Sequence, residues 1–322
     1  MVAAGVTDGP PQRVEIAVVG GGPAGLAAAV AGARLNRRTA CFEAGVPRTS
    51  HAPRYFNVLP FPAGISGPEL LERGREAARR WGAEVHDAAV TAVRRGAPEV
   101  PDRFLLETAT GPVGAAGVVF ATGIRDRQPA CGTLYDVPGV HFCPICDGFE
   151  VRGLRTAVIG RDRDAFAAVE ALRDFTDDLT LLLDGGASEL DSRERAELAA
   201  WRVAVRAERL TACRPVAGGV ELRTGDGARD VWPHVFVVLG CTPNTALAAS
   251  LGCATDTRGF LRTDAAQATS VPHVFAAGDC DGGPKQVTQA MAEGEMAALG
   301  LAKLLRRELG RARGSPAPRA SG

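Results

Sequence analysis

The chain has 322 residues, of which 46% are hydrophobic and 39 are glycine, which suits a large core and an α/β enzyme of about two domains. Its 37 basic residues balance its 37 acidic residues, so net charge favours neither nucleic acid nor an anionic membrane as a partner. Eight cysteines are too dilute for a disulfide framework, and the N-terminus lacks the pattern of a signal peptide, so we expect a cytoplasmic protein with mostly reduced thiols. No apolar run reaches the roughly 18 residues of a membrane span.

The first predicted element is a strand over Val14–Val19, which leads into a glycine-rich turn and an alanine-rich helix. The turn places Gly20, Gly22 and Gly25 in a GxGxxG pattern. Between a strand and a helix, these glycines permit a tight turn and a close approach to a pyrophosphate, which the helix N-terminus binds. A short strand about 20 residues further on ends at Glu43, which is placed to accept ribose hydroxyl groups. The segment therefore predicts a dinucleotide-binding domain.

Three later segments add further elements of such a domain. Residues 55–71 read YFNVLPFPAGISGPELL and end in a predicted helix start. Residues 117–129 and 269–299 each contain an apolar strand, which ends in Thr-Gly in the first case and in Gly-Asp in the second. A helix rich in small residues follows the Gly-Asp pair.

The segment HFCPICDGFE places Cys143 and Cys146 three positions apart, with Asp147 directly after them and His141 two positions before them. A zinc site needs two more ligands, and one that used Cys131 and His141 would have irregular spacing. Two inert buried cysteines are a second alternative, although a carboxylate beside them is costly to bury. The pattern favours a dithiol/disulfide couple, because this spacing lets the sulfurs reach bonding distance and the carboxylate can carry a proton.

In their order along the chain, these motifs resemble those of the flavin-dependent pyridine-nucleotide disulfide oxidoreductases, and within them the thioredoxin reductase family. The resemblance extends from Val14 to about Leu305 and implies FAD as the cofactor. It implies two Rossmann-like, three-layer ββα domains in an α/β fold, with residues 1–125 and 243–322 forming the FAD domain and residues 126–242 inserted. It also implies a homodimer. Beyond the glycine turn and Glu43, the residues that it places at FAD are Asn57, Thr122, Gly123, Gly278, Asp279, Gln286 and Val287.

The resemblance also assigns roles around the CxxC motif. It implies that Cys146 is the flavin-side sulfur and that Cys143 exchanges with the substrate. Asp147 is then the general acid or base for the thiol proton, and His141 is a second candidate base, since imidazole titrates near neutral pH. An equal alternative for His141 is that it is a loop histidine at a strand end and has no chemical function.

The inserted domain departs from the family pattern at its own nucleotide motif. The strand Thr156–Ile159 and Gly160 are present, but Asp162 stands where the family has its second glycine, and its side chain and charge oppose pyrophosphate binding. The next strand ends at Asp184, where the family has a cluster that binds a 2′-phosphate. An acid there suits a free ribose and repels a phosphate. Nearby arginines such as Arg161 could restore some affinity, but NADPH binding is doubtful.

Three hypotheses follow for the function. The first is an FAD-dependent dithiol oxidase that forms a disulfide in a small substrate and passes electrons to oxygen. The second is a disulfide reductase for a thioredoxin-like protein, fed by NAD(P)H or ferredoxin. The third is a redox-sensing flavoprotein without turnover.

The remaining cysteines and the C-terminus carry no predicted chemistry. Cys280 is expected to pack next to the cofactor site, and four further cysteines are expected to be core or partly exposed thiols, namely Cys41, Cys213, Cys241 and Cys253. Residues 311–322 are rich in proline, serine, glycine and arginine, which predicts disorder.

Overall fold

The computed structural model describes residues 12–96 and 103–312 of the chain. The chain divides into two compact units, of which the first comprises residues 1–54, 63–124 and 243–322. The second comprises residues 55–62 and 125–242. Residues 55–62, which the sequence assigns to the FAD domain, thus cluster with the inserted unit.

The described residues form seventeen strands and seven α-helices. The strands are β1 (Gln12–Val19), β2 (Thr39–Phe42), β3 (Glu84–His86), β4 (Val90–Arg95), β5 (Phe104–Thr108), β6 (Gly111–Phe120), β7 (Ile124–Asp126), β8 (Val140–His141), β9 (Thr156–Ile159), β10 (Leu179–Leu182), β11 (Ala204–Arg206), β12 (Leu210–Val216), β13 (Gly219–Thr224), β14 (Arg229–Trp232), β15 (His234–Val237), β16 (Cys241–Pro243) and β17 (Val274–Ala276). The helices are α1 (Pro23–Arg34), α2 (Gly67–Arg80), α3 (Pro144–Asp147), α4 (Arg163–Leu172), α5 (Ser192–Ala200), α6 (Ala246–Ser250) and α7 (Val287–Ala312).

The first unit is built on a seven-stranded sheet in the order β3-β2-β1-β6-β5-β4, with β17 also paired to β6. Strands β1, β2, β3, β6 and β17 run parallel, whereas β4 and β5 continue from β6 as an antiparallel meander. Helices α1 and α7 pack against each other and against one face of the sheet. The apolar residues of β1 are buried on both faces, as in a central parallel strand.

The second unit contains a five-stranded parallel sheet in the order β11-β10-β9-β15-β8 and a three-stranded antiparallel sheet, β12-β13-β14. Helices α4 and α5 contribute to the core on one side of the parallel sheet. On the other side, the antiparallel sheet closes a second core around Trp232. The protein therefore has an α/β fold of two Rossmann-like domains, the second inserted into the first.

Two sequence expectations about the chain ends and the membrane can be compared with this fold. Helix α7 continues to Ala312, so disorder is a wrong prediction for residues 311 and 312, and residues 313–322 lie outside the described part. No helix within residues 12–96 and 103–312 is long and apolar enough to cross a membrane.

Candidate active site

The glycine-rich turn of the first unit leaves the N-terminus of α1 open. Gly22 is the N-cap of this helix, no side chain caps the first turn, and a β-carbon built on Gly22 has no neighbour within 4 Å. At Gly20, where φ is +110°, a β-carbon would collide with the carbonyl of Ala121, and at Gly25 it would collide with the carbonyl of Gly20. Gly20 and Gly25 thus allow close packing, whereas Gly22 leaves space for an anion at the helix N-terminus.

Glu43 lies beside this turn, directly after β2. Its Oε2 atom accepts a 2.6 Å hydrogen bond from the Gly21 N–H, and its Oε1 atom accepts one of 2.8 Å from the Ala44 N–H. Burial raises the pKa of the Glu43 carboxyl above its ordinary value, against these hydrogen bonds. The side chain is therefore held at the position from which the sequence predicts contact with a ribose.

The other candidate FAD residues of the first unit follow β6 and β17, whose carboxyl ends share one edge of the sheet with that of β1. The Thr122 hydroxyl donates a 2.5 Å hydrogen bond to the Asn244 carbonyl. The Gly278 N–H donates to the buried carboxylate of Glu293, at 2.8 Å. Asp279 follows in a short 3₁₀ turn, with a carboxylate oxygen 3.9 Å from the Arg48 guanidinium.

The last candidate FAD residues lie in different parts of the chain. Gln286 and Val287 stand at the start of α7, and the Gln286 N–H donates to the Pro284 carbonyl. Gly123 adopts a φ of +63° after β6. Asn57 belongs to the segment that clusters with the second unit. The open turn at Gly22 fits the diphosphate of a dinucleotide, which is the group that FAD would place there.

The CxxC motif lies at the start of α3, in the second unit. Cys143 and Cys146 are joined in a disulfide, with their Cα atoms 5.3 Å apart, and the Cys146 N–H also lies 3.1 Å from the Cys143 sulfur. Ile145, between the cysteines, is 81% exposed, so solvent reaches this turn of the unit. In the described residues, no cluster of three or more histidine, cysteine or acidic side chains has the arrangement of a metal site.

His141 lies at the end of β8 and has partners on both ring nitrogens. Its Nδ1 atom is 3.4 Å from an Asp147 carboxylate oxygen, and its Nε2 atom is 2.9 Å from Nδ1 of His234. The structure thus brings both predicted acid–base residues together and adds His234, which sequence reasoning missed. His234 lies 93 residues away from His141, and only the pairing of β8 with β15 brings the two together.

The nucleotide motif of the second unit differs from the open turn of the first. Asp162 is the N-cap of α4, and its Oδ1 atom accepts a 3.1 Å hydrogen bond from the Ala165 N–H. A β-carbon on Gly160 would collide with Ala165 and with the Val238 carbonyl, so this glycine serves close packing. The helix N-terminus that would receive a pyrophosphate is therefore already occupied by a carboxylate of the chain.

The sequence interpretation of Asp184 is wrong. Asp184 is buried, and its carboxylate accepts hydrogen bonds from the backbone N–H groups of Ala130 at 2.7 Å and Leu210 at 3.0 Å. Its charge is therefore engaged by two backbone N–H donors of the same unit. The guanidinium of Arg161 lies near the loop after β10. A β-carbon built on Gly186, in this loop, would collide with it.

The expectation that Cys213 is a thiol is also wrong. Cys213, on β12, forms a disulfide with Cys131, and their Cα atoms are 5.7 Å apart. The two cysteines are separated by 82 positions, and the sequence carries no spacing signal for such a pair. Cys280 is fully buried, and burial raises the pKa of its thiol to about 11, in keeping with packing.

The fold and these sites define a protein of two Rossmann-like domains, with a CxxC disulfide in the second. The model of the pyridine nucleotide-disulphide oxidoreductase family matches residues 14–294. The chain belongs to this family and is thioredoxin reductase-like, and FAD is its cofactor.

Among related sequences, one subunit of the alkyl hydroperoxide reductase of Xanthomonas campestris pv. phaseoli is 33% identical over 304 residues, which cover 89% of this chain and 56% of that protein. The chain thus spans about half the length of that relative. Thioredoxin reductase of Listeria monocytogenes is 27% identical over 303 residues, which cover 88% of this chain and 91% of that protein.

Among solved structures, that of HlmI is 28% identical, with a TM-score of 0.85 and coverage of 95% of this chain and 98% of HlmI. The putative thioredoxin reductase TrxB of Bacillus anthracis has a TM-score of 0.82 at 21% identity, with coverage of 92% of this chain and 99% of that one. The second similarity concerns the fold alone.

Proposed function

We propose that the protein is an FAD-dependent dithiol oxidase, in which the Cys143/Cys146 couple takes two electrons from a small dithiol and oxygen receives them. The observation that supports this direction is the hydrogen bond between the Asp162 carboxylate and the Ala165 N–H. It occupies the helix N-terminus on which NADPH binding in this fold depends. An enzyme with a weak site for the hydride donor needs another source of electrons, and a dithiol substrate is such a source.

The electrostatics of the turn determine how strongly Asp162 opposes a pyrophosphate. A carboxylate that is poorly solvated beside a pyrophosphate costs on the order of 1 to 3 kcal/mol, which lowers affinity by roughly 10- to 100-fold. Gly22 introduces no such charge at the equivalent turn of the first unit. The two dinucleotide motifs of one chain thus differ in the feature that decides anion binding.

In the proposed reaction, a substrate thiolate attacks the Cys143 sulfur, the Cys143–Cys146 bond breaks, and Cys146 leaves as a thiolate. The second thiol of the substrate then loses its proton and attacks the substrate sulfur that is bonded to Cys143, which releases Cys143. The substrate has then lost two electrons and two protons and gained a disulfide bond. Bound FAD supplies the two-electron chemistry that returns the couple to a disulfide and reduces oxygen to hydrogen peroxide.

Asp147 and His141 are proposed to take up the substrate protons in this sequence. Asp147 follows Cys146 directly, and its carboxylate oxygen lies 3.4 Å from Nδ1 of His141. A thiolate attacks far faster than a thiol, so a group that accepts the proton raises the rate of exchange. Both residues lie in the same unit as the disulfide.

The competing proposal is a reductase, in which electrons pass from NAD(P)H or ferredoxin through FAD to the couple and on to a thioredoxin-like protein. The names of the thioredoxin reductase and peroxide reductase relatives favour this direction. The Arg161 side chain beside the loop after β10 is the structural feature that favours it. For either direction we propose a homodimer, as the resemblance to the thioredoxin reductases implies.

Oxygen consumption tests the proposal directly. With dithiothreitol as the probe and no NADPH present, we expect the yellow protein to consume oxygen and to produce hydrogen peroxide in equal amount. Cys143→Ser and Cys146→Ser should each abolish this consumption, while Cys241→Ser, at a cysteine outside the couple, should retain it. Oxygen uptake that survives both substitutions in the couple would contradict the proposal.

A further inference from the structure

The two histidines near the CxxC motif are held by the register of their strands. Strands β8 and β15 are parallel neighbours, with Val140 opposite Val235 and His141 opposite Phe236. The His141 ring stacks on the Phe236 ring, with 4.8 Å between centroids and 23° between planes. The imidazole of His141 therefore has a defined orientation, which points its Nε2 atom at His234.

The polar contacts of His141, an ion-pair contact with Asp147 and a hydrogen bond with His234, form a series that begins beside the disulfide. Asp147 is the residue after Cys146, its carboxylate lies 3.4 Å from Nδ1 of His141, and Nε2 of His141 lies 2.9 Å from Nδ1 of His234. His234 is half-buried, and within the described residues its Nε2 atom has no hydrogen-bond partner from the chain. This series of polar groups thus extends from the redox couple to the Nε2 atom of His234.

A hydrogen bond between two neutral imidazoles needs one donor and one acceptor, so the tautomers of His141 and His234 are coupled. Burial, and next the neighbouring His141, lower the pKa of the His234 ring, which favours its neutral form. A neutral imidazole has one protonated and one unprotonated nitrogen, so it can release a proton from one nitrogen after it receives a proton at the other.

Few other ionisable groups face His234. Strand β9, on the far side of β15, presents Thr156–Ile159 and has no ionisable side chain. On β13, which also contacts β15, Glu221 accepts a 2.8 Å hydrogen bond from Arg223 and another from Arg214. His141 and, through it, Asp147 are therefore the groups to which His234 is coupled.

We propose that His234 is a positioning residue that completes an Asp147–His141–His234 path for the protons of the redox couple. This inference rests on the proposed role of Cys143 and Cys146. A substrate thiol gives its proton to the Asp147 carboxylate, Asp147 passes a proton to Nδ1 of His141, and the proton on Nε2 of His141 moves to Nδ1 of His234. The proton on Nε2 of His234 then leaves to solvent, and no electrons move along this path. The same steps in reverse carry a proton back and restore both tautomers.

Two substitutions separate proton transfer from simple orientation of the His141 ring. Asparagine in His234→Asn keeps a hydrogen-bonding group near the position of Nδ1 but does not titrate, whereas His234→Leu removes the group. His273→Asn is the matched control, because His273 contacts the Glu308 carboxylate at 2.8 Å in the first unit and has a φ of +64°, which asparagine tolerates.

The experiment follows flavin reduction by dithiothreitol under nitrogen from pH 5.5 to 9, together with the rate at which iodoacetamide alkylates the reduced holoenzyme. We expect both His234 variants to lose about tenfold in rate at pH 7, to approach the wild-type rate at high pH, and to shift the pH profile of alkylation. The His273 variant should match the wild type in both measurements. Equal profiles for the wild type and both His234 variants would overturn the path, and so would full wild-type behaviour of His234→Asn alone.

The proposed function can fail separately in the same experiment. If dithiothreitol leaves the wild-type flavin oxidised at every pH, then the oxidase reaction is wrong. The alkylation profile still reports in that case whether His234 influences the ionisation of the cysteines, because it requires neither FAD reduction nor oxygen. If Cys143→Ser prevents flavin reduction while the His234 variants behave as the wild type, the result supports the proposed redox role of the two cysteines and contradicts the proposed proton path.

Discussion

The Oδ1 atom of Asp162 lies 3.1 Å from the backbone nitrogen of Ala165, whose N–H it accepts, so the first turn of α4 is capped from within the chain. Asp162→Gly removes both the cap and the charge and leaves the helix N-terminus as open as it is at Gly22. We expect the dissociation constant for NADPH to fall by about tenfold or more, as measured by calorimetry on the FAD-loaded protein.

Asp191→Gly provides the control for this change, because Asp191 is also a helix N-cap in the same unit and forms a capping box with Glu194. Both substitutions weaken a helix start to a similar, small degree. Only the Asp162 variant should gain affinity for NADPH. Equal affinities of the wild type and both variants would show that the cap does not limit nucleotide binding.

Substitution of Gly22 tests the FAD site of the first unit. The wild-type protein should purify yellow with bound FAD, and Gly22→Val should purify colourless, because a side chain there fills the space at the N-terminus of α1. Gly225→Val is the control, since a β-carbon on Gly225 also meets no atom closer than 3.8 Å and lies in the other unit. Absorbance at the flavin bands relative to protein, with circular dichroism to verify folding, gives the result. A folded Gly22→Val protein with a full complement of flavin would contradict the assignment.

Asp184 is predicted to stabilise the second unit and to have no part in nucleotide binding. In Asp184→Asn, one acceptor oxygen is lost, so the N–H of Ala130 or of Leu210 loses its partner, and the free energy of unfolding should fall by about 1 to 3 kcal/mol, most if the buried Leu210 N–H is affected. The asparagine keeps the φ of +51° that this position requires. Asp178→Asn, at an exposed position of the same unit, should change the stability by less than about 0.5 kcal/mol. Urea unfolding measures the stability of both variants and of the wild type. Equal stabilities of Asp184→Asn and the wild type would show that Asp184 has another role.

The half-buried carboxyl of Asp281 should affect the pH dependence of stability. Burial raises its pKa from 3.8 to about 6, so between these values the folded protein holds a proton that the unfolded chain has released. Stability contributed by this group is therefore lost as the pH rises from about 4 to 6. Because solvent screens a half-exposed carboxyl, Asp281→Asn should be more stable than the wild type at pH 7 by only about 1 kcal/mol, and close to it below about pH 4.

The carboxyl of Asp226 should affect the pH dependence of stability in the opposite direction. Hydrogen bonds from Thr224 and Ala228 lower the pKa of its carboxyl, so its contribution is present at neutral pH and is lost as the pH falls through the lowered pKa. Asp226→Asn should therefore be less stable than the wild type at pH 7. Thermal unfolding at a series of pH values measures both variants, and parallel curves for Asp281→Asn and the wild type would contradict the assignment to Asp281.

Local patterns account for what the sequence predicted well. Strand β9 has the predicted bounds, Thr156–Ile159, and α2 begins after Ser66, whose side chain accepts the Glu69 N–H. These features depend on neighbours within a few positions of the chain, such as a helix cap or an apolar run. The presence of two dinucleotide folds follows from the same kind of signal.

Contacts between distant positions account for what the sequence did not predict. The Cys131–Cys213 disulfide, the partners of Asp184 and the His141–His234 hydrogen bond all join segments that are far apart in the chain. An aspartate after a strand has the same appearance in sequence whether it faces a ribose or two backbone N–H groups. The direction of electron flow has no local signal beyond Asp162, because it depends on the relative rates of two half-reactions.

The central claim is that a dithiol, and not NADPH, reduces the flavin, and stopped-flow absorbance under nitrogen tests it most directly. The FAD-loaded protein is mixed in separate runs with NADPH, NADH and dithiothreitol, and the flavin band is followed in time. We expect rapid bleaching by dithiothreitol and bleaching by NADPH that is slower by roughly 10- to 100-fold. Rapid bleaching by NADPH together with slow bleaching by dithiothreitol would contradict the claim and would identify the protein as a disulfide reductase.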